Sequence, residues 1–181
     1  MRFLLLSLLY LALLTRPALA QPPDAPLTLP SVTSYSLSKA KVTLPADLSG
    51  NRNLLLLFFK RDQQEDADLW ITEVGKLKAR DPALGIYTLP IFPRANILSR
   101  WWTNASLRSG APPQQNPATT IPLYVDKQSF LRNLRITSEK QPVLLVTDKS
   151  GRVLGRASGR PDPAKLAATE AILQAASPAH R

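Results

Sequence analysis

The chain has 181 residues, with 23 Lys plus Arg against 13 Asp plus Glu, one His, no Cys and 44% hydrophobic residues. That composition excludes a disordered or fibrous protein. Without cysteine there is no disulfide staple, thiol peroxidase, dithiol oxidoreductase, thiolate metal site or lipobox anchor. The only histidine, His180, lies next to the C-terminus, so neither a Ser-His-Asp triad nor a histidine metal centre is expected.

Residues 1–20 read as a cleaved export signal: a basic start at Arg2, an apolar run over 3–14, and Ala18-Leu19-Ala20 at the small-residue cleavage site. About a dozen apolar residues are too few to span a hydrocarbon core of roughly 30 Å. The expected location is therefore extracytoplasmic, periplasmic or secreted. Removing that segment leaves 161 residues with 21 basic and 13 acidic side chains, a net charge of +8, enough for one domain burying roughly 70% of its unfolded surface. The positive charge favours anionic partners, an anionic membrane surface among them. The basic residues are dispersed (Lys76, Arg100, Arg135, Arg152, Arg160), which suits solubility and argues against nucleic acid as a partner.

Residues 21–34 are proline-rich and read as an extended leader, 35–176 as the domain, and 177–181 as a tail. Alternation over 35–44, closed by Pro45 and Gly50, predicts a short edge hairpin. Asn53-Leu54-Leu55-Leu56-Leu57-Phe58-Phe59 is a continuous apolar run, as expected of a strand buried on both faces. Residues 60–66 form a loop. Trp70, Ile71, Val74 and Leu77 then recur at helical spacing up to Asp81-Pro82. The acidic cluster Asp62, Glu65, Asp66 and Asp68 precedes this helix and is read as capping it, since it lacks the glycine and spacing of a calcium loop.

A second buried strand is expected over 85–92 and a third over 121–125. Between them, residues 94–118 form an insertion: Arg94, Arg100, Trp101, Trp102 and Arg108 on a helix, then a Gly/Pro/Gln stretch that cannot be regular. Asp126 caps a short helix through Phe130, Leu131 and Leu134. Pro142-Val143-Leu144-Leu145-Val146 and Arg152-Val153-Leu154 form a hairpin turned by Asp148-Lys149-Ser150-Gly151, with Gly151 supplying a positive φ. Asp162 starts the last helix. Strands separated by helices imply an α/β domain with a mainly parallel sheet, to which the late hairpin adds antiparallel edge strands.

This arrangement resembles the thioredoxin-like superfamily, specifically its redoxin branch that includes peroxiredoxins. The resemblance is carried by Leu44-Pro45-Ala46-Asp47-Leu48-Ser49-Gly50, by the strand at 53–59, and by Pro142-Val143-Leu144-Leu145-Val146-Thr147-Asp148-Lys149-Ser150-Gly151-Arg152-Val153. It implies a three-layer sandwich, a mixed sheet with helices on both faces, an N-terminal hairpin and a helical insertion. It also implies that Pro142 occupies the family's cis-proline position and that residues 60–66 replace the loop holding the reactive cysteine. Asp62, Gln63, Gln64 and Glu65 stand where a thiolate would be, and none can form a sulfenic acid or mixed disulfide. A looser similarity is to thioredoxin-like assembly factors of mitochondrial ATP synthase and their bacterial relatives.

Two functions follow as expectations. The first is a non-catalytic binding or assembly module acting on a protein partner or membrane complex through Arg100, Trp101, Trp102 and Arg108, together with Asp62, Gln63, Gln64 and Pro142, because exposed Trp and Arg concentrate binding energy. Consecutive helical residues diverge by about 100°, so Trp101 and Trp102 are not expected to be both fully buried on the same face, and one should be available to solvent or a partner. The second is a cysteine-independent enzyme or small-ligand binder using Asp62, Glu65 and Asp66 as acid, base or Mg²⁺ ligands. No cofactor is expected.

Overall fold

A computed structural model describes residues 26–94, 97–109 and 115–175, with side chains inside the 97–109 helix described from residue 103 onward. The element order is β1 (Val32–Tyr35), β2 (Lys41–Leu44), β3 (Arg52–Phe58), a 3-10 turn (Arg61–Gln63), α1 (Gln64–Arg80), β4 (Leu84–Pro93), α2 (Ile97–Ser109), β5 (Leu123–Val125), α3 (Lys127–Asn133), β6 (Val143–Asp148), β7 (Val153–Ser158) and α4 (Pro163–Ala175). The main sheet runs β5-β4-β3-β6-β7. Strands β3, β4 and β5 are parallel, while β6 is antiparallel to β3 and β7 to β6.

The leucine run of β3 builds both cores because successive side chains leave a strand on opposite faces. Leu54, Leu56 and Phe58 join Ala67, Trp70, Ile71, Val74 and Leu77 of α1, with Leu166, Ile172 and Leu173 of α4 packed against them. Leu55, Leu57 and Phe59 join Phe130, Leu131 and Leu134 around α3, together with Leu44 and Leu48. The sheet is thus sandwiched between α1 and α4 on one face and α3 with the hairpin on the other. Trp70 is fully buried, and its indole Nε1 donates to the Gly159 carbonyl at 2.7 Å, satisfying its one polar atom.

Three turns form as their residues dictate. One carboxylate oxygen of Asp148 accepts from the N–H groups of Ser150 and Arg152 and from the Ser150 hydroxyl, and Gly151 takes φ 82°. Asp126 accepts from the Ser129 N–H to cap α3. Asp162 accepts from the Lys165 N–H ahead of Pro163, the first residue of α4.

Several expectations are corrected. The N-terminal hairpin is no edge of the main sheet: β1 and β2 form their own two-stranded sheet, tied to the β5 side by the Ser34 hydroxyl on the Pro122 carbonyl and the Leu37 N–H on the Thr120 carbonyl. It begins at Val32, inside the segment expected as leader. Leu29, from the same segment, is buried, and residues 27–29 pair with the β6–β7 turn through Leu29 N–H to Gly151 O and Val153 N–H to Leu27 O. Of the late hairpin only β7 is an edge strand, since β6 lies inside the sheet between β3 and β7. The third parallel strand starts at Leu123 rather than at 121. Residues 61–66, expected as loop, are already helical.

Candidate functional site

The parallel strands β3, β4 and β5 end at one edge of the sheet, and antiparallel β6 begins there while β7 ends there. The loop after β3, the entrance to α2, the start of α3, the connection before β6 and the turn after β7 therefore gather at one end of the molecule. In open α/β sheets ligands bind at this carboxyl end.

Gln63 closes the centre of that end. Its side chain is buried at 4% exposure. The amide oxygen accepts from the Phe59 N–H at 2.9 Å and the amide nitrogen donates to the Glu139 carbonyl at 2.6 Å. One amide thus links the end of β3 to the connection before β6, 76 residues later. The Glu139 carboxylate pairs with Lys127 Nζ at 2.5 Å, and that ammonium lies 5.7 Å from the centroid of the Phe59 ring. Pro142 is buried at the head of β6, and its carbonyl accepts from the Gly159 N–H at 2.9 Å. Its position is the one the family resemblance implies, but the conformation is not: the Gln141–Pro142 bond is trans, and the cis bond among the described residues is Leu44–Pro45.

The acidic cluster does not cap by hydrogen bonding. Neither the 3-10 turn nor α1 has a side-chain cap bond at its N-terminus; Gln63, at the cap position of α1, spends its oxygen on Phe59 instead. Glu65 and Asp66 converge on Arg160, whose Nη1 lies 3.0 and 3.3 Å from their carboxylates. Asp68 accepts from the amide of half-buried Gln64 at 2.7 Å. Lys60, Arg61 and Asp62 are exposed and form the outer rim. Among the described residues no three His, Asp or Glu side chains are grouped to hold a metal ion. Glu65 and Asp66, two of the three carboxylates named in the enzyme reading, are thus paired with an arginine at the surface, while Asp62 stands exposed.

At the neighbouring α3 entrance the Asp126 carboxyl is held below the ordinary carboxylate range, first by the Ser129 N–H, against desolvation, the next influence in size, with help from the Ser129 hydroxyl and the charges of Arg94 and Arg132. The Arg100, Trp101 and Trp102 side chains lie outside the described residues, although their backbone belongs to the N-terminal half of α2, which enters from this end. Arg108 is exposed near the opposite end of α2. At about 1.5 Å per residue its backbone sits about 12 Å down the axis from that of Arg100. Tyr124 of β5 donates its hydroxyl to Asn104 at 2.8 Å, anchoring the middle of α2 to the sheet. Lys127, Glu139 and Arg160 were not legible as site residues: each acquires its role from a partner brought near by folding.

No family model and no curated protein matches this chain. Solved structures do. A thiol:disulfide interchange protein of the DsbE type from Chlorobium tepidum is 18% identical, with TM-score 0.53 over 84% of this chain and 96% of its own. The exposed lipoprotein thioredoxin of Streptococcus pneumoniae is 13% identical, with TM-score 0.53 over 80% and 99%. BsSco, a member of the Sco family of cytochrome c oxidase assembly proteins, is 15% identical, with TM-score 0.55 over 83% and 96%. At these identities the likeness is one of fold. The protein is an α/β domain of the thioredoxin-like fold, built without a single cysteine. Among the described residues no helix is long and apolar enough to cross a membrane.

Proposed function

We propose that this protein is an exported binding or assembly module without redox chemistry, and that it meets a protein partner or membrane complex at the carboxyl end of its sheet. The observation that carries the reading is Gln63. In the stretch 60–66, which the resemblance sets in place of the family's cysteine loop, this chain holds a buried amide with both ends hydrogen-bonded to backbone, a structural bridge that carries no thiol. Exposed Lys60, Arg61 and Asp62 around it, and the basic-aromatic sequence at the start of α2, support a recognition surface there. The assembly role named for BsSco offers a precedent for this fold in such work. The signal-like pattern of residues 1–20 supports export.

The test is photo-crosslinking in cells, with the reactive group at Arg61 or Asp62 and, as a control, at exposed Asp81 beyond the far end of α1. A specific adduct from positions 61 and 62, absent from 81 and lost when Trp101 and Trp102 are both changed to Ala in a folded variant, is the expected result. Equal labelling from 81, or no adduct from any position, would count against the reading. Cell fractionation with a measured loss of the first 20 residues checks export separately.

A further inference from the structure

A cleft of about 270 Å³ opens where the connection from α3 to β6 faces the outer strand β7. Arg135, Ser138 and Gln141 line it from the connection, and Arg156 and Ser158 from β7. Arg135 also lines a wider neighbouring cleft of about 530 Å³, shared with Arg132 and the chain at 26–30. No Asp or Glu lines either cleft. The ion pairs among the described residues involve none of these three arginines.

The backbone at Arg135 makes the arginine harder to explain as filler. Helix α3 ends in a Schellman turn: the Ile136 N–H bonds the Leu131 carbonyl and the Arg135 N–H bonds that of Arg132, each at 2.9 Å. Arg135 sits at the left-handed position, φ 50°, where glycine is the usual residue and a side chain is disfavoured. Glycine would serve the turn better. What arginine adds is a guanidinium. Arg156 stands opposite, with Nη1 donating to the Arg135 carbonyl at 3.0 Å, so one corner of its planar fork is fixed and the remaining donors are left over.

We propose that this cleft binds a phosphate group. Two guanidinium forks with the hydroxyls of Ser138 and Ser158 offer more donors than the two oxygens of a carboxylate can accept, whereas a phosphate presents three or four acceptor oxygens and a larger charge. Glu139, the acidic residue between Ser138 and Gln141, is paired with Lys127. The cleft shares its connection with the Gln63 bridge, which holds Glu139 between Ser138 and Gln141, but its proposed donors are different side chains.

The experiment titrates the purified, folded protein with inorganic phosphate, followed by amide chemical shifts, against sodium chloride of matched ionic strength. In parallel, flotation compares vesicles of phosphatidylcholine with and without phosphatidylglycerol. Saturable binding in either arm is expected, confined in the first to residues 135–141 and 156–158; the arm that responds assigns the source, a free phosphate or a lipid headgroup. Arg135→Gly is expected to weaken that binding about 10-fold, as loss of charge-assisted hydrogen bonds does, without lowering the denaturation midpoint. Lys76→Gln removes one charge from the exposed face of α1 and is expected to leave binding unchanged. Absence of saturable binding in both arms, chloride acting as phosphate does, or Lys76→Gln weakening binding as much as Arg135→Gly would overturn the proposal.

Discussion

Gln63 and Asp148 show how single side chains set the limits of this molecule. A buried amide with both ends paired costs little, but removing it strands its partners: the Phe59 N–H and the Glu139 carbonyl lose their bonds together. Gln63→Ala is therefore expected to lower unfolding free energy by about 1–3 kcal/mol in urea denaturation, with no appearance of thiol-independent reductase activity in either protein. Asp148 titrates against its turn. Burial, the largest influence, pushes its carboxyl up, yet bonds from the Ser150 hydroxyl and the Arg152 and Ser150 N–H groups, with the Arg152 charge, hold it below the ordinary range. Asp162 is lowered as well, chiefly by the Lys165 N–H and then its side chain. A carboxyl whose folded value lies below its unfolded value stabilises the fold above the unfolded value and loses that contribution as pH falls through the folded one. Stability should thus fall below about pH 4. In Asp148→Asn the drop in melting temperature between pH 7 and pH 3 is expected to be smaller than in wild type, by calorimetry.

Among the elements, the segment before β1 and helix α2 carry opposite expectations. Composition makes residues 21–34 look like tether, because proline forbids a helix and weakens a central strand. Pairing needs only a few residues, however, and residues 27–29 have them. Leu29 is 3% exposed, so Leu29→Ala should cost about 2–5 kcal/mol, the range for truncating a buried leucine, read from the denaturant midpoint. A true tether would show almost no change. Helix α2 presents the opposite expectation. If Trp101 and Trp102 serve recognition, changing both to Ala should shift stability by less than about 1 kcal/mol while abolishing partner capture; a loss as large as that from Trp70→Ala, about 3–5 kcal/mol, would make them packing residues. Calorimetry of the two variants side by side separates these outcomes.

For the whole molecule, the periodicities of the chain carried the fold a long way. The unbroken run at 53–59, the helical spacing from Trp70 to Leu77 and the Asp-x-x-Gly turn were legible because each depends on residues a few positions apart, whose burial or φ preference is local. So were the caps at Asp126 and Asp162. What was not legible depends on contacts across the chain. The order β5-β4-β3-β6-β7 places β6 inside rather than at the edge, and no pattern within β6 distinguishes the two, since a run buried on both faces reads alike in either place. The same holds for charge: Glu65 and Asp66 look like helix caps in sequence, and become partners of Arg160 only when the turn after β7 comes to rest beside α1. Arg135 and Arg156, ordinary dispersed basic residues in the sequence, share a cleft for the same reason.

The sequence by itself determined that this protein has no thiol chemistry, because chemistry that needs a sulfur atom ends where the chain has none. It also determined the α/β alternation, because burial periodicity is written residue by residue. Only the tertiary structure decided what the stretch after β3 builds. A glutamine amide becomes a closed bridge rather than an open site when two backbone groups 80 positions apart, Phe59 and Glu139, are brought within 2.9 and 2.6 Å of it, and such convergence is a property of the folded chain alone.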